Sequence, residues 1–281
     1  MTAVLSTGPE LILNASEGVL QIIVTENEKP LCVQEWHRPE RATEILVPAL
    51  REICASLNVR LPDFRRIACV RGPGSFTGIR LVLTTAAALR RAGRAQLAGL
   101  DYLQALACSA VIRRGLLYGI PLWAVTHAKR DLVHCRPFVA MGPVIPPAPA
   151  RDAELCSPKE ALRRMVEESE TLRAPSGTRT ETKAVCVCGS ALARHASVFS
   201  VLEDIAEKFH SMPELVCPDS AALRLLARHG DYFPQDIEPL YIRPSDAAEN
   251  LPGLAARQGM DADAAAAELE RLLRANPASD V

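Results

Sequence analysis

The sequence predicts a two-lobed α/β protein, and three observations carry that expectation. Short apolar runs bounded by turn residues alternate with longer runs of helical periodicity. Over residues 1–115 their order is β-β-β-α-β-α-β-α. A second block, opening near Pro121, begins again with strands.

The elements follow in order. Leu11–Leu13 and Val19–Val24 read as strands separated by the turn cluster Asn14–Gly18, and Leu31–Trp36 is a third after Asn27–Pro30. Three strands on such short connections predict an antiparallel meander. Ile45, Leu46, Ala49, Leu50, Ile53 and Leu57 then recur at helix-face spacing. Pro48 is expected to break or kink that helix unless the helix begins there. Arg66–Val70 is a buried strand, and Ser75 is the N-cap of an Ala/Leu-rich helix reaching Gly93. Gln96–Leu100 is one more strand, and Asp101 caps a helix containing Leu103, Leu106 and Ala107.

In the second block, Leu122–Val125 and Asp131–Val139 pair around a turn at Ala128–Arg130. Gly142–Pro149 is proline-dense and reads as an extended connector or edge. Ser157, Pro158 and Glu160 form a capping-box start of a helix. Residues 170–182 read as a polar surface loop, and Val185–Gly189 as a buried strand followed by a helix. That strand carries Cys186-Val187-Cys188, read as two small buried hydrophobes. The tail from Leu254 carries a short amphipathic helix, Ala264–Leu273. The division expected is 1–115, 116–253 and a tail of 254–281.

Composition narrows the function. The 281 residues allow one large domain or two smaller ones. With 48% apolar and 23% charged residues, wholesale disorder is excluded. A net charge of −1 excludes a protein that coats nucleic acid by bulk electrostatics, leaving room for a local basic patch. Aromatics are only 4%, so Ala, Leu, Val and Ile must build the core. No apolar run reaches the ~20 residues that span a bilayer. Met1–Glu10 lacks the basic start and apolar stretch of a secretion signal. The nine cysteines are irregularly spaced and include no C-x-x-C pair, so a soluble, cytoplasmic protein is expected.

The segment Arg71–Arg80 is the most informative. Gly72, Pro73 and Gly74 allow a sharp turn after a buried strand, and Ser75 opens a helix whose free N–H groups could hold an anion. A structural elbow and an anion site are both compatible with this. A Walker A loop is excluded, because no Lys-Ser/Thr follows the glycines. Small residues at Thr84–Ala88 let another helix approach closely. His127 and His134 fall on adjacent strands where they could meet, and are read as structural or surface residues. Ser75 does not stand in a G-x-S-x-G nucleophile elbow. Arg90, Arg91, Arg94, Arg113 and Arg114 read as solvated helix ends, with contact to RNA or an acidic partner as the alternative.

Arg71-Gly72-Pro73-Gly74-Ser75-Phe76-Thr77-Gly78-Ile79-Arg80 closely resembles the signature of the bacterial TsaB (YeaZ-type) family. These are tRNA threonylcarbamoyladenosine biosynthesis proteins of the actin/Hsp70/sugar-kinase-like superfamily. Pro239–Pro244 followed by Ala248-Glu249 resembles the family's closing motif. The resemblance implies RNase H-like lobes and a non-catalytic subunit that forms a heterodimer with TsaD, the catalytic paralogue. With the ATPase TsaE, such a pair supports t6A modification of the adenosine next to the tRNA anticodon. It further implies that tRNA is met indirectly and that ATP could enter at the level of the complex; as a rival reading, the same helical surface could make a homodimer when the partner is absent, and no membrane contact is expected. The implied contact residues are Ile45, Leu46, Ala49 and Leu50 on the first helix, and Phe76, Ile79, Arg80, Leu83 and Ala87 on the second. The signature loop itself comprises Arg71, Gly72, Pro73, Gly74, Ser75, Thr77 and Gly78.

Two departures bear on chemistry. Asn14-Ala15-Ser16 stands where the family usually has an Asp-Thr-Ser-type turn, and a neutral Asn lacks the charge a hard cation prefers. The helix start Arg41–Leu46 holds no histidine where the catalytic paralogue carries a metal-binding His-x-x-x-His pair. No metal and no catalytic residue is therefore expected. The alternative, an ATP-binding sugar-kinase-like or glycoprotease-like enzyme, needs an acidic metal ligand or a nucleophile–base pair.

Overall fold

Strict alternation of side chains builds the first sheet. In the computed structural model, β1 (Glu10–Asn14), β2 (Leu20–Glu26) and β3 (Lys29–Trp36) form an antiparallel meander. β4 (Arg66–Val70) pairs parallel with β1, and β5 (Gln96–Leu100) parallel with β4, giving the order β3-β2-β1-β4-β5. The structure describes residues 8–37, 39–168, 184–242, 261 and 271. Leu20, Ile22 and Val24 point to one face with Leu11 and Leu13, while Ile12 and Ile23 point to the other. The first face is covered by α1 (Ala42–Leu57) and α2 (Phe76–Ala92). α3 (Tyr102–Arg114) packs against the second.

The second sheet starts with β6 (Pro121–His127) and β7 (Val133–Val139), antiparallel around the expected turn. Two short strands, β8 (Ala148–Pro149) and β9 (Glu154–Cys156), pair with β7 in succession. The proline-dense segment thus ends as an edge strand. α4 (Pro158–Glu168) follows, then β10 (Val185–Cys188), parallel to β6. Cys186 and Cys188 are both buried in the core shared with α3.

After β10 the expected helix is broken into α5 (Ser190–Arg194), α6 (Ala196–Phe199) and α7 (Val201–Asp204). His195 (φ −117°, ψ 41°) leaves helical geometry between the first two, and Ile205 (φ −115°, ψ 36°) ends the third. β11 (Phe209–Met212) adds parallel to β10, and α8 (Ser220–Arg228) returns to pack beside α3. The final order is β11-β10-β6-β7-β8.

All three expected caps are present. Ser75 Oγ accepts from the Gly78 N–H at 3.3 Å, Asp101 from Gln104 at 2.9 Å and Ser157 from Glu160 at 3.2 Å. Pro48 is different: α1 runs straight through it. Pro48 and Val47 lie on the exposed flank, where water can satisfy the carbonyl that loses its donor.

Residues 1–240 form one compact unit, and 241–281 a second in which 241, 242, 261 and 271 are described. The loop at 170–182, the tail helix Ala264–Leu273 and residues 243–249 of the closing motif lie outside the described residues.

Adjacent positions on α1 separate core from surface. Leu46 is 0% exposed and Val47 54%. Leu46→Ala is expected to cost ~2–5 kcal/mol in urea unfolding, and Val47→Ala no more than ~0.5 kcal/mol.

Candidate functional site

The segment Arg71–Gly78 is held by backbone contacts on every side. The Arg71 N–H donates to the Leu100 carbonyl, its own carbonyl accepts from Leu240, and the Gly72 carbonyl accepts from Tyr102. The Ser75 N–H donates to the Ser16 carbonyl at 2.5 Å. Each glycine answers a close approach. A Cβ on Gly72 would stand 2.6 Å from the Leu240 oxygen, on Gly74 2.2 Å from Ser16 O, and on Gly78 1.8 Å from Ala15 O. Gly72 (φ 122°) also occupies left-handed backbone, and its bond to Pro73 is cis. The structural elbow therefore accounts for the glycines without a ligand.

A cleft of ≈ 350 Å³ opens between the β1–β2 turn, the start of α1 and the elbow. Gly18, Thr43, Ser75, Thr77 and Leu81 line it, with Glu40 placing negative charge at its rim.

Asn14 is fully buried at the end of β1. Its amide donates to Gln21 Oε1 at 2.7 Å, and its Oδ1 accepts from the Ser16 N–H at 3.0 Å. Gln21 in turn donates to Glu35 and to the Pro218 carbonyl. Both ends of the Asn14 amide are committed, the oxygen to the turn and the nitrogen to Gln21 on β2, and the group is neutral. These residues do not fit a hard cation of the kind an acidic turn would hold.

Residues distant in sequence meet where the two sheets face each other. Glu17, in the β1–β2 turn, accepts a short hydrogen bond from Ser190 Oγ. Ser190 Oγ also accepts from the His127 N–H at 3.0 Å. His127 Nδ1 lies 3.1 Å from His195 Nε2. His127 thus meets His195 at the end of α5 and not His134, because β6–β7 register sets His134 opposite Thr126. Burial raises the Glu17 carboxyl to about 7, while Ser190, Tyr102 and Arg194 pull in the opposite direction. His127 is lowered, first by burial and then by Arg194 and His195. Nearby, Arg136 from β7 reaches Asp101 at 2.7 Å, a largely buried ion pair joining the second sheet to the cap of α3.

The nine expected contact residues divide sharply. Leu46, Ala49, Leu50, Ile79, Leu83 and Ala87 are buried, and all but Ala87 belong to the core beneath the first sheet. In this chain they pack inward, the apolar stripe of each helix turned toward its own sheet. Ile45 is half-buried; Phe76 and Arg80 are exposed, with the Arg80 guanidinium 3.8 Å from the Phe76 ring centroid. Among the arginine clusters, Arg90 and Arg91 both bind Asp236, and Arg113 binds Asp219. Those three serve internal ion pairs.

Sequence reasoning missed Glu17, Ser190 and His195. Gly189 was the one available signal. Its φ of 119° and the 2.2 Å approach of the Val125 oxygen to a would-be Cβ mark a tight strand-to-helix turn like the elbow at Gly74.

The Glu17 shift has a definite sign. A carboxyl raised from 4.5 to about 7 in the folded state makes that state hold the extra proton. Its contribution is most favourable below pH 4.5 and declines as pH climbs to about 7. Glu17→Gln removes this dependence. Urea unfolding is expected to show the variant gaining up to about 3 kcal/mol on the wild type between pH 5 and pH 8. A constant difference would remove Glu17 as the titrating group.

A family model described as "TsaD: tRNA N6-adenosine threonylcarbamoyltransferase" matches residues 39–243, well over half of the chain. No curated protein matches the sequence. Among solved structures, the chain resembles an uncharacterised protein with similarity to peptidase YeaZ from Pseudomonas aeruginosa. The TM-score is 0.63 at 18% identity, covering 84% of this chain and 100% of that one. YeaZ from Pseudomonas aeruginosa gives 0.61 at 17% identity, covering 83% and 99%. A weaker likeness, 0.42 at 10% identity over 81% and 98%, is to a Bacteroides thetaiotaomicron protein with an actin-like ATPase fold. The chain has a YeaZ-type fold, and it belongs to the TsaD family, tRNA N6-adenosine threonylcarbamoyltransferase.

Proposed function

We propose that the chain is a non-catalytic subunit that pairs with its catalytic paralogue TsaD and supports t6A formation in tRNA. The observation that carries this reading is Asn14. In a chain of the TsaD family, the buried turn that would hold a carboxylate holds a neutral amide already bonded at both ends. Family membership supports the link to t6A chemistry, and the overall fold resembles that of YeaZ. TsaE joins the complex, ATP belongs to the assembly, and tRNA is met indirectly. The chain acts in the cytoplasm, as lobes of 1–115 and 116–253 with a tail of 254–281, and self-associates when TsaD is absent.

The contact surface is the outer face of α1 and α2. Val47 is 54% exposed and Phe76 41%, with Arg80 beside Phe76 and Ile45 at the margin. The buried residues of the two helices set the shape of this face by packing on β1 and β2.

The test is co-purification with TsaD. Val47→Glu and Phe76→Asp place charge on the exposed face while sparing the core, and each is expected to weaken the complex at least ~10-fold, about 1.4 kcal/mol. Leu83→Asp buries a charge beneath the first sheet, so its failure would report on folding. If both exposed variants co-purify like wild type, α1 and α2 are not the contact surface.

A further inference from the structure

We propose that Cys135 and Cys156 form a redox-modification site, a dithiol that low-molecular-weight disulfides convert into an intramolecular disulfide joining β7 to β9. The two sulfurs lie 3.6 Å apart. They sit diagonally across the β7–β9 ladder, where Cys135 is opposite Glu154 and Cys156 opposite Val133. A disulfide needs the separation closed to about 2.05 Å. Side-chain rotation and a small shift of β9 can supply that. β9 is three residues long and pairs with β7, so few ladder bonds resist its movement.

The surroundings assign the two thiols different roles. Cys156 is 9% exposed and Cys135 1%. Cys156 immediately precedes Ser157, whose hydroxyl caps α4, an 11-residue helix with its positive end toward this corner. Hydrogen bonding from Cys135 holds the Cys156 thiol below its ordinary range, with Arg151 acting in the same direction, while burial and Glu160 oppose. Cys135 is raised by its bond to Cys156 and by burial.

The chemistry balances with the small disulfide as oxidant. The Cys156 thiolate attacks one sulfur of the reagent, forming a mixed disulfide and expelling one thiolate. Cys135, losing its proton to solvent, attacks the Cys156 sulfur and expels the second. Two protein thiols are oxidised, one small disulfide is reduced to two thiols, and the bond closes a loop containing the whole proline-dense segment. Other close sulfurs are placed differently. Cys186 and Cys188 are two residues apart on one strand, and Cys186 lies against Met212 Sδ, which cannot form a disulfide.

The experiment treats the full chain with glutathione disulfide, blocks remaining thiols, and maps the products by non-reducing peptide mass spectrometry. Free thiols are expected to fall from nine to seven, with one cross-linked peptide pair joining Cys135 to Cys156. In Cys135→Ser the reaction stops at a glutathione adduct on Cys156, and Cys156→Ser yields neither adduct nor cross-link at Cys135. Nine surviving thiols, or a cross-link between other cysteines, in the wild type would overturn the site without reference to either variant. An adduct on Cys135 in Cys156→Ser would overturn the assigned order of attack.

Discussion

The contact on which the rest of this architecture depends is backbone against backbone. The turn Asn14–Gly18 and the elbow Gly72–Gly78 approach so closely that the Ser75 N–H reaches the Ser16 carbonyl, and no side chain could fit between Gly78 and Ala15. That approach does two things at once. It fixes where α2 begins, satisfying one of the donors a helix start would otherwise leave unpaired. It also holds the β1–β2 turn in the conformation that aims Glu17 at Ser190 in the second sheet. The same short loop receives Tyr102 and Leu240, so three segments, from Ser16 to Leu240, converge on Arg71–Gly78. A bulkier residue at any of the three glycines would push back one of those carbonyls.

The polar groups between the sheets are consequences of that geometry. Asn14, Gln21, Asp101 and Arg136 all carry polar atoms into a region largely closed to water, and each is answered by a specific partner. Burying such groups is tolerable only while those partners stay in place. Sliding one sheet against the other would strand the Asp101–Arg136 pair and separate Gln21 from the Pro218 carbonyl. Breaking one largely buried ion pair costs ~3–5 kcal/mol. The arrangement favours one fixed relation between the sheets.

How much of this was legible follows from the range of each signal. Apolar runs bounded by turn residues and period-3.6 patterns are local, so β1 to β5, the three caps and the order of the first half could be read directly. Pro48 misled because propensity does not know which flank of a helix is wet. α8 carries an amphipathic pattern in Ser220–Arg228 that went unread, and β11 is four residues long with one residue exposed. The Glu17–Ser190 contact spans 173 positions, and no local pattern announces such a pair. The contact residues show a subtler limit. Periodicity finds the apolar stripe of α1 and α2 correctly but is silent on what covers it. Leu46 and Ile79 are 0% exposed because their own sheet needs them.

That last point reshapes what a partner would meet. With the large aliphatic residues turned inward, the outer face offers Thr43, Val47 and Pro48 on α1, and Phe76, Arg80 and Thr84 on α2. Obligate interfaces resemble a domain core cut in half, whereas exchangeable ones are near the polarity of ordinary surface around a few aromatic or arginine anchors. As the proposed contact surface, this face has the composition of the second kind. Phe76 stacked under Arg80 provides one compact anchor, and the small residues around it let an opposing helix come close. A surface built this way keeps the free chain from exposing a wide apolar patch, while an incoming helix still finds one ring and one cation already arranged together.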